Sequence, residues 1–188
     1  HNHGFGMFFD WDKTFQEHPQ HFTLDKHGKR VSNAQMCLSS PEARAFLTER
    51  VFDMIAEQHP SGINCFVVAS NDFQGSRYCW CPNCLALEEK YDSTGGPLWD
   101  YLLELCPKVA EKYPDVYISS LAYKGPKQTE KAPDGIVFPD NFIADCAFLN
   151  SRRTLKEIPA RTLDDGERFQ KFENLLKWNR IAEHVSYW

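Results

Sequence analysis

The chain has 188 residues, of which 42% are hydrophobic and 25% charged, and its formal net charge is -5. Those proportions exclude a disordered, collagenous or coiled-coil protein and suit one sizeable domain or part of a larger one. An acidic balance without a basic block argues against nucleic acid or an anionic membrane as partner. The longest clean apolar run, residues 65–69, is far too short to span a bilayer.

The first 34 residues read as irregular, with a turn over residues 25–30 where His27-Gly28 supplies the positive φ a tight turn needs. The opening His1-Asn2-His3-Gly4 has neither an initiator Met nor the basic start of a signal peptide, so no address is read from it. Residues 36–38 fit a short strand. Ser40 then fits an N-cap, with Pro41 at the first helical position and Glu42 in the first turn. Ala43, Leu47, Val51, Met54 and Ile55 follow at helical spacing, and the helix should stop at His59-Pro60. Residues 63–69 are apolar and β-branched, and read as a strand buried on both faces. A polar loop runs from 70 to about 96 and holds a short helix at 85–91.

Leu98, Leu102, Leu105 and Val109 mark an amphipathic helix ended by Tyr113-Pro114, in which Pro107 should cause a kink or a break. Residues 116–123 form the next strand, 124–140 a proline-bearing loop, and 142–148 a third long strand. A helix over roughly 164–182 and a strand from 184 complete the pattern. Alternating strands and helices imply a parallel α/β sheet. No Gly-rich phosphate loop follows any strand, which removes the dinucleotide fingerprint and the P-loop. The remaining fold is a TIM-type (β/α)8 barrel. A full barrel needs about 250 residues, and about five strands are legible, so the expectation is a single partial barrel over 1–188, covering the middle strands.

In such folds ligands bind at the C-terminal ends of the strands. Those positions hold Ser70-Asn71-Asp72, then Tyr123-Lys124, then Asp145 followed by Asn150-Ser151-Arg152-Arg153. A carboxylate there points into a mouth, where partial burial raises its pKa toward general-acid duty. Asp72 equally suits a loop turn. Asp145 alternates with Ile143 and Ala147 on a strand face, where an acid must be paired or functional. Glycosidases need two carboxylates, or one acid with help from the substrate, and Asp72 and Asp145 on neighbouring strand ends fit the first arrangement. Asn71, Tyr123, His3 and Arg152 are the candidates to contact sugar hydroxyls or an acidic sugar, and Trp80 to stack on a sugar face. Aromatics make up 14% of the chain, and a bulky core accounts for most of them.

The run Tyr78-Cys79-Trp80-Cys81-Pro82-Asn83-Cys84 puts three thiols within six residues. With a fourth ligand they suit a tetrahedral soft metal, zinc first, in a structural site. Cys37 is the expected fourth, because it closes the preceding strand on the same rim. A single disulfide, or thiols with no role, is the alternative. A nucleic-acid-binding zinc ribbon would need a second Cys-x-x-Cys pair and a basic surface.

These segments carry a resemblance. His18-Pro19-Gln20-His21-Phe22 with Gly28-Lys29-Arg30, Cys37-Leu38-Ser39-Ser40-Pro41-Glu42, Asn71-Asp72 with the cysteine run, and Leu121-Ala122-Tyr123 together resemble a glycoside-hydrolase-like barrel domain of unknown function. That family is akin to the barrels of α-glucuronidases and β-N-acetylhexosaminidases and occurs in bacterial proteins of polysaccharide breakdown, usually secreted. The resemblance implies a carbohydrate substrate, an extracellular or periplasmic setting, and further barrel strands and domains in a longer chain. It also implies that Asp72 stands at the catalytic-acid position after the fourth strand. Hexosaminidase-like barrels have an Asp-Glu pair there; Asn71-Asp72 gives a shorter acid. The two readings carried forward are a glycoside hydrolase and a non-catalytic carbohydrate-binding barrel with a structural cysteine metal site.

Overall fold

The computed structural model describes residues 4–32, 34–71, 78–123, 131–147 and 166–187, with only the backbone described for 166–171 and 187. The amino-terminal stretch is more ordered than its composition suggests. Asp10 caps helix α1 (Trp11–Glu17), its carboxylate accepting from the Lys13 amide at 3.0 Å. Trp11 and Phe15 pack edge-on against Phe22, with ring centroids 4.8 and 5.1 Å away. The helix lacks a clean apolar period, and its one sequence signal is the Asp10 cap. The expected turn is present. Gly28 has φ +78°, and the Asp25 carboxylate accepts from the amides of His27 and Lys29.

Residues 36–38 do not join the sheet as a strand. Met36 makes one antiparallel bridge to Phe22, and the Cys37 amide donates to the His21 carbonyl. Helix α2 (Pro41–Gln58) starts and stops where its caps dictate. Ser40 Oγ accepts from the Ala43 amide, Pro41 lies in the first turn, and a 3-10 turn at His59–Ser61 follows. Ala43, Leu47, Val51 and Ile55 form its fully buried stripe.

Four strands pair in parallel in the order β1 (Cys65–Val67), β2 (Tyr117–Tyr123), β3 (Phe142–Ala147) and β4 (His184–Tyr187). Between β1 and β2 the chain returns through α3 (Pro82–Lys90) and α4 (Gly96–Lys112). Between β3 and β4 it returns through α5 (Gly166–Ile181). The expected alternating α/β architecture is thus present, with one strand fewer among the described residues. Pro107 does not break α4. It lies on the exposed side, where the carbonyl that loses its donor can reach water. Gly96 is needed for close packing, because a Cβ there would sit 2.3 Å from the Leu87 carbonyl oxygen of α3.

One face of the sheet is covered. Phe66, Ile118, Phe142 and Ala144 are buried there, beneath the rings of Trp99 of α4 and Trp178 of α5. Trp99 meets Trp178 edge-on at 5.1 Å, and Phe138 stacks on Phe142 at 4.0 Å. The other face is more open. Cys65 is exposed, and Tyr117, Ile143, Asp145 and His184 are only half-buried. The expectation that the first strand is covered on both faces therefore fails at Cys65. An apolar run does not report which of its faces has a neighbour.

Two polar joints hold the periphery. Arg44 of α2 pairs with Asp100 at 2.6 Å and Glu104 at 2.9 Å on α4, while its Nε donates to the Leu38 carbonyl. Burial works against the Asp100 carboxylate, but the Tyr91 hydroxyl and the Arg44 guanidinium outweigh it and hold its pKa below the usual range. The second joint is a reciprocal clamp. Fully buried Gln35 donates from Nε2 to the Asn71 carbonyl at 2.8 Å and accepts from the Asn71 amide at 2.9 Å. Side-chain bonds thus tie the 34–36 segment to the chain leaving β1, in place of a strand ladder.

A folded-state pKa below the unfolded value adds stability at neutral pH that is lost as pH falls through the folded pKa. Arg44→Ala should therefore lower stability by about 1–3 kcal/mol at pH 7 and flatten its loss below about pH 4. Urea melts at stepped pH measure both. Gln35→Ala strands the Asn71 amide and carbonyl and should cost about 2–4 kcal/mol in the same melts.

Candidate functional site

Parallel pairing brings the ends of the strands to one edge. Just past β1 stands Asn71, at the last position of β2 stands Tyr123, and near the end of β3 stands Asp145. Asp72, His3 and Arg152 lie outside the described residues, so the separation of Asp72 and Asp145 is not described.

Asp145 lies on the open face of the sheet, half-buried, with Leu121 and Ser186 as its register partners on the flanking strands. The Ser186 hydroxyl donates to its Oδ1 at 2.6 Å. Shielding of its sulfur and then the Asp145 charge push the Cys65 thiol up. The carboxylate is therefore felt across that face. Ser186 is invisible to motif reading, because only the register of β4 against β3 puts it beside Asp145.

Asn71 is engaged with the fold. Its Nδ2 donates to the Ala34 carbonyl at 3.2 Å, and its Oδ1 accepts from the Gly6 amide at 3.3 Å. Tyr123 is half-buried. Trp80 is exposed between two buried cysteines, its amide donating to the Leu24 carbonyl. Among the described residues, two hollows are lined by neither Asn71, Tyr123 nor Asp145. One of about 390 Å³ is lined by Tyr117, Ile143, His184 and Ser186, mostly toward the starts of the strands. Another of about 870 Å³ lies among α2, α3 and α4, and its charges largely satisfy each other through Arg44, Asp100, Glu104 and Lys108.

The cysteines expected to converge do so. The Sγ atoms of Cys37, Cys79, Cys81 and Cys84 all lie within 4.8 Å of one another, and four such sulfurs can hold a metal ion. Cys37 is placed by the turn that enters α2, where its carbonyl accepts from the Ser40 amide. Cys81 is the N-cap of α3, accepting from the Cys84 amide, and Pro82 opens the helix. That helix starts three residues before the expected position. Cys81 serves as the cap here, a role more often held by Ser, Thr, Asp or Asn.

Hydrogen bonding among the sulfurs splits their proton affinities. Cys79 leads in holding Cys37 down to about 6, and Cys37 leads in holding Cys81 well below the ordinary thiol value. Cys79 and Cys84 are pushed above it, in both cases chiefly by Cys37. The Ser39 hydroxyl completes the group, 3.1 Å from Cys84 Sγ and 3.3 Å from Cys81 Sγ. Its place two residues after Cys37 was the available signal.

No protein of curated function matches the chain significantly. Among solved structures, a β-N-acetylhexosaminidase from Bacteroides fragilis NCTC 9343 is similar at 16% identity and a TM-score of 0.48, over 88% of this chain. The chain spans 28% of that enzyme's length, and a likeness at this level carries no weight for activity. A family description matches from the first residue to the last: the chain, over residues 1–188, belongs to the family described as Domain of unknown function (DUF4838).

Proposed function

We propose that this chain is part of a TIM-type barrel that acts on oligosaccharides or polysaccharides, with Asp72 as general acid and Asp145 as the second carboxylate. The observation that carries the reading is the placement of Asp145. It is a half-buried acid near the C-terminal end of a parallel strand, on the open face, with Ser186 fixing its orientation. Asn71 and Tyr123 share that edge, which is where α/β folds gather their chemistry. His3 and Arg152 join them as sugar contacts, and Trp80 offers an exposed ring as a stacking platform. Protonation of the leaving oxygen would fall to Asp72, whose neighbour Asn71 is locked to the fold. A carboxyl separation of about 5 Å would make the enzyme retaining, and one of about 6.5–9.5 Å inverting.

A second reading is binding without hydrolysis. It is favoured by the commitment of Asp145 to Ser186 and of the Asn71 side-chain carboxamide to Gly6 and Ala34, which leaves these groups less free for turnover.

The test is turnover of a panel of neutral, acidic and N-acetylated oligosaccharides by the full-length protein. Asp72→Asn and Asp145→Asn should each lower kcat at least about 100-fold, with unchanged circular dichroism. Full turnover in Asp72→Asn overturns the catalytic assignment. Sugar binding by affinity electrophoresis with no turnover in the native protein establishes the second reading.

A further inference from the structure

Four buried sulfurs that lie within 4.8 Å of one another are used neither by the sheet nor by the proposed sugar site. Their spacing is informative. A tetrahedral ion with metal–sulfur bonds of about 2.3 Å sets its sulfurs about 3.8 Å apart. Cys37 Sγ lies 3.6 Å from Cys81 Sγ and 3.9 Å from those of Cys84 and Cys79. A disulfide would need about 2.0 Å, and all four thiols are free.

The surroundings give an independent argument. Four thiolates around a divalent ion carry two net negative charges, and a buried charge needs donors. They are in place. The Leu24 amide points at Cys79 Sγ at 3.3 Å, as does the Cys81 amide at 3.5 Å, and the Cys84 amide at Cys81 Sγ at 3.4 Å. The Ser39 hydroxyl accepts from the Cys84 thiol at 3.1 Å and lies 3.3 Å from Cys81 Sγ, where it can donate to a sulfur that has lost its proton. Cys81 and Cys84 also occupy the start of α3, where the helix dipole favours negative charge. Neutral thiols are weak acceptors and gain little from this ring of donors.

We infer that Cys37, Cys79, Cys81 and Cys84 bind one zinc ion in a closed tetrahedral site, with Ser39 as an outer positioning residue that donates to a coordinated sulfur. On binding, every sulfur that still carries a proton releases it to solvent, and no electron moves. Zinc is favoured over ferrous iron because iron(II) lies near the weak end of the divalent affinity order, and over cupric ion because copper(II) prefers tetragonal nitrogen and oxygen ligands. With four protein ligands no position is open, so the ion is a staple and not a Lewis acid for substrate. It joins the turn entering α2 to the start of α3 and, through Leu24, to the amino-terminal segment. This inference does not depend on the sugar reading.

Metal content and cobalt substitution on the purified full-length protein test it. The expected result is one zinc per chain, replaceable by cobalt with the intense visible bands of a tetrahedral thiolate complex. Cys37→Ser should lose the ion. Should that variant fail to fold, the cobalt spectrum of the native protein decides. Ser39→Ala keeps all four sulfurs; zinc stoichiometry should hold while affinity in a chelator competition falls about 10-fold. Failure to take up zinc or cobalt under reducing, anaerobic conditions overturns the site. A coloured, iron-loaded protein overturns the choice of metal, and unchanged affinity in Ser39→Ala overturns the role of Ser39. Activity of the Asp72→Asn variant enters none of these readouts, so the two proposals fail separately.

Discussion

Parallel pairing is the constraint from which the rest of this structure follows. Strands that run the same way cannot be joined by tight turns, so the chain must travel back across the sheet before each new strand. Between β1 and β2 it does so through α3 and α4, and between β3 and β4 through α5. Those helices need an apolar surface, and they find it on one face only, where Trp99, Trp178, Phe138 and Phe142 interlock. The same arrangement leaves the second face half-buried and gathers the strand ends on one edge. Asn71, Tyr123 and Asp145 reach that edge because of chain direction, before any chemistry is asked of them.

The edge is then tied down by polar and sulfur contacts in place of a further ladder. Gln35 clamps the chain leaving β1, and the four cysteines gather the entry to α2 and the start of α3 into one contact. Both devices act on the irregular chain between elements and on the start of α3, where backbone pairing does little and a few strong side-chain bonds decide the conformation. A buried glutamine making two reciprocal bonds is costly to remove for the same reason that a thiolate cluster is costly to leave without a metal: each removal strands polar groups away from water.

Legibility in the sequence followed the range of the interaction. Ser40-Pro41-Glu42 announced α2 because a cap is local, and the apolar and aromatic runs announced β2 and β3 because strand propensity is local too. The choice of Cys37 as the fourth sulfur rested on where strands and loops meet, and the geometry agrees with it. What could not be read was register. Ser186 beside Asp145 depends on how β4 slides against β3, and a shift of one residue would send the serine to the opposite face. Residues 36–38 have a strand's composition, yet their partner is Phe22 in an antiparallel bridge. Helix α1 was missed because its stability comes from Asp10 and from aromatic contacts with Phe22, not from an apolar stripe.

Cysteine cluster and strand-end acids impose opposite electrostatic demands, and the fold keeps them on different supports. Four thiolates need amide donors and exclusion of water, which the start of α3 and the turn at Leu24 provide. The Asp145 carboxylate lies on the half-buried face, where among the described residues the Ser186 hydroxyl donates to it in place of a ring of amides. Residues 72–77 separate Asn71, locked by Gln35, from Tyr78, which immediately precedes Cys79 of the cluster. Both ends of that short segment are anchored by groups that take no part in chemistry. The clamp thus fixes Asn71 and the sulfur cluster fixes Cys79, the anchored points on either side of positions 72–77.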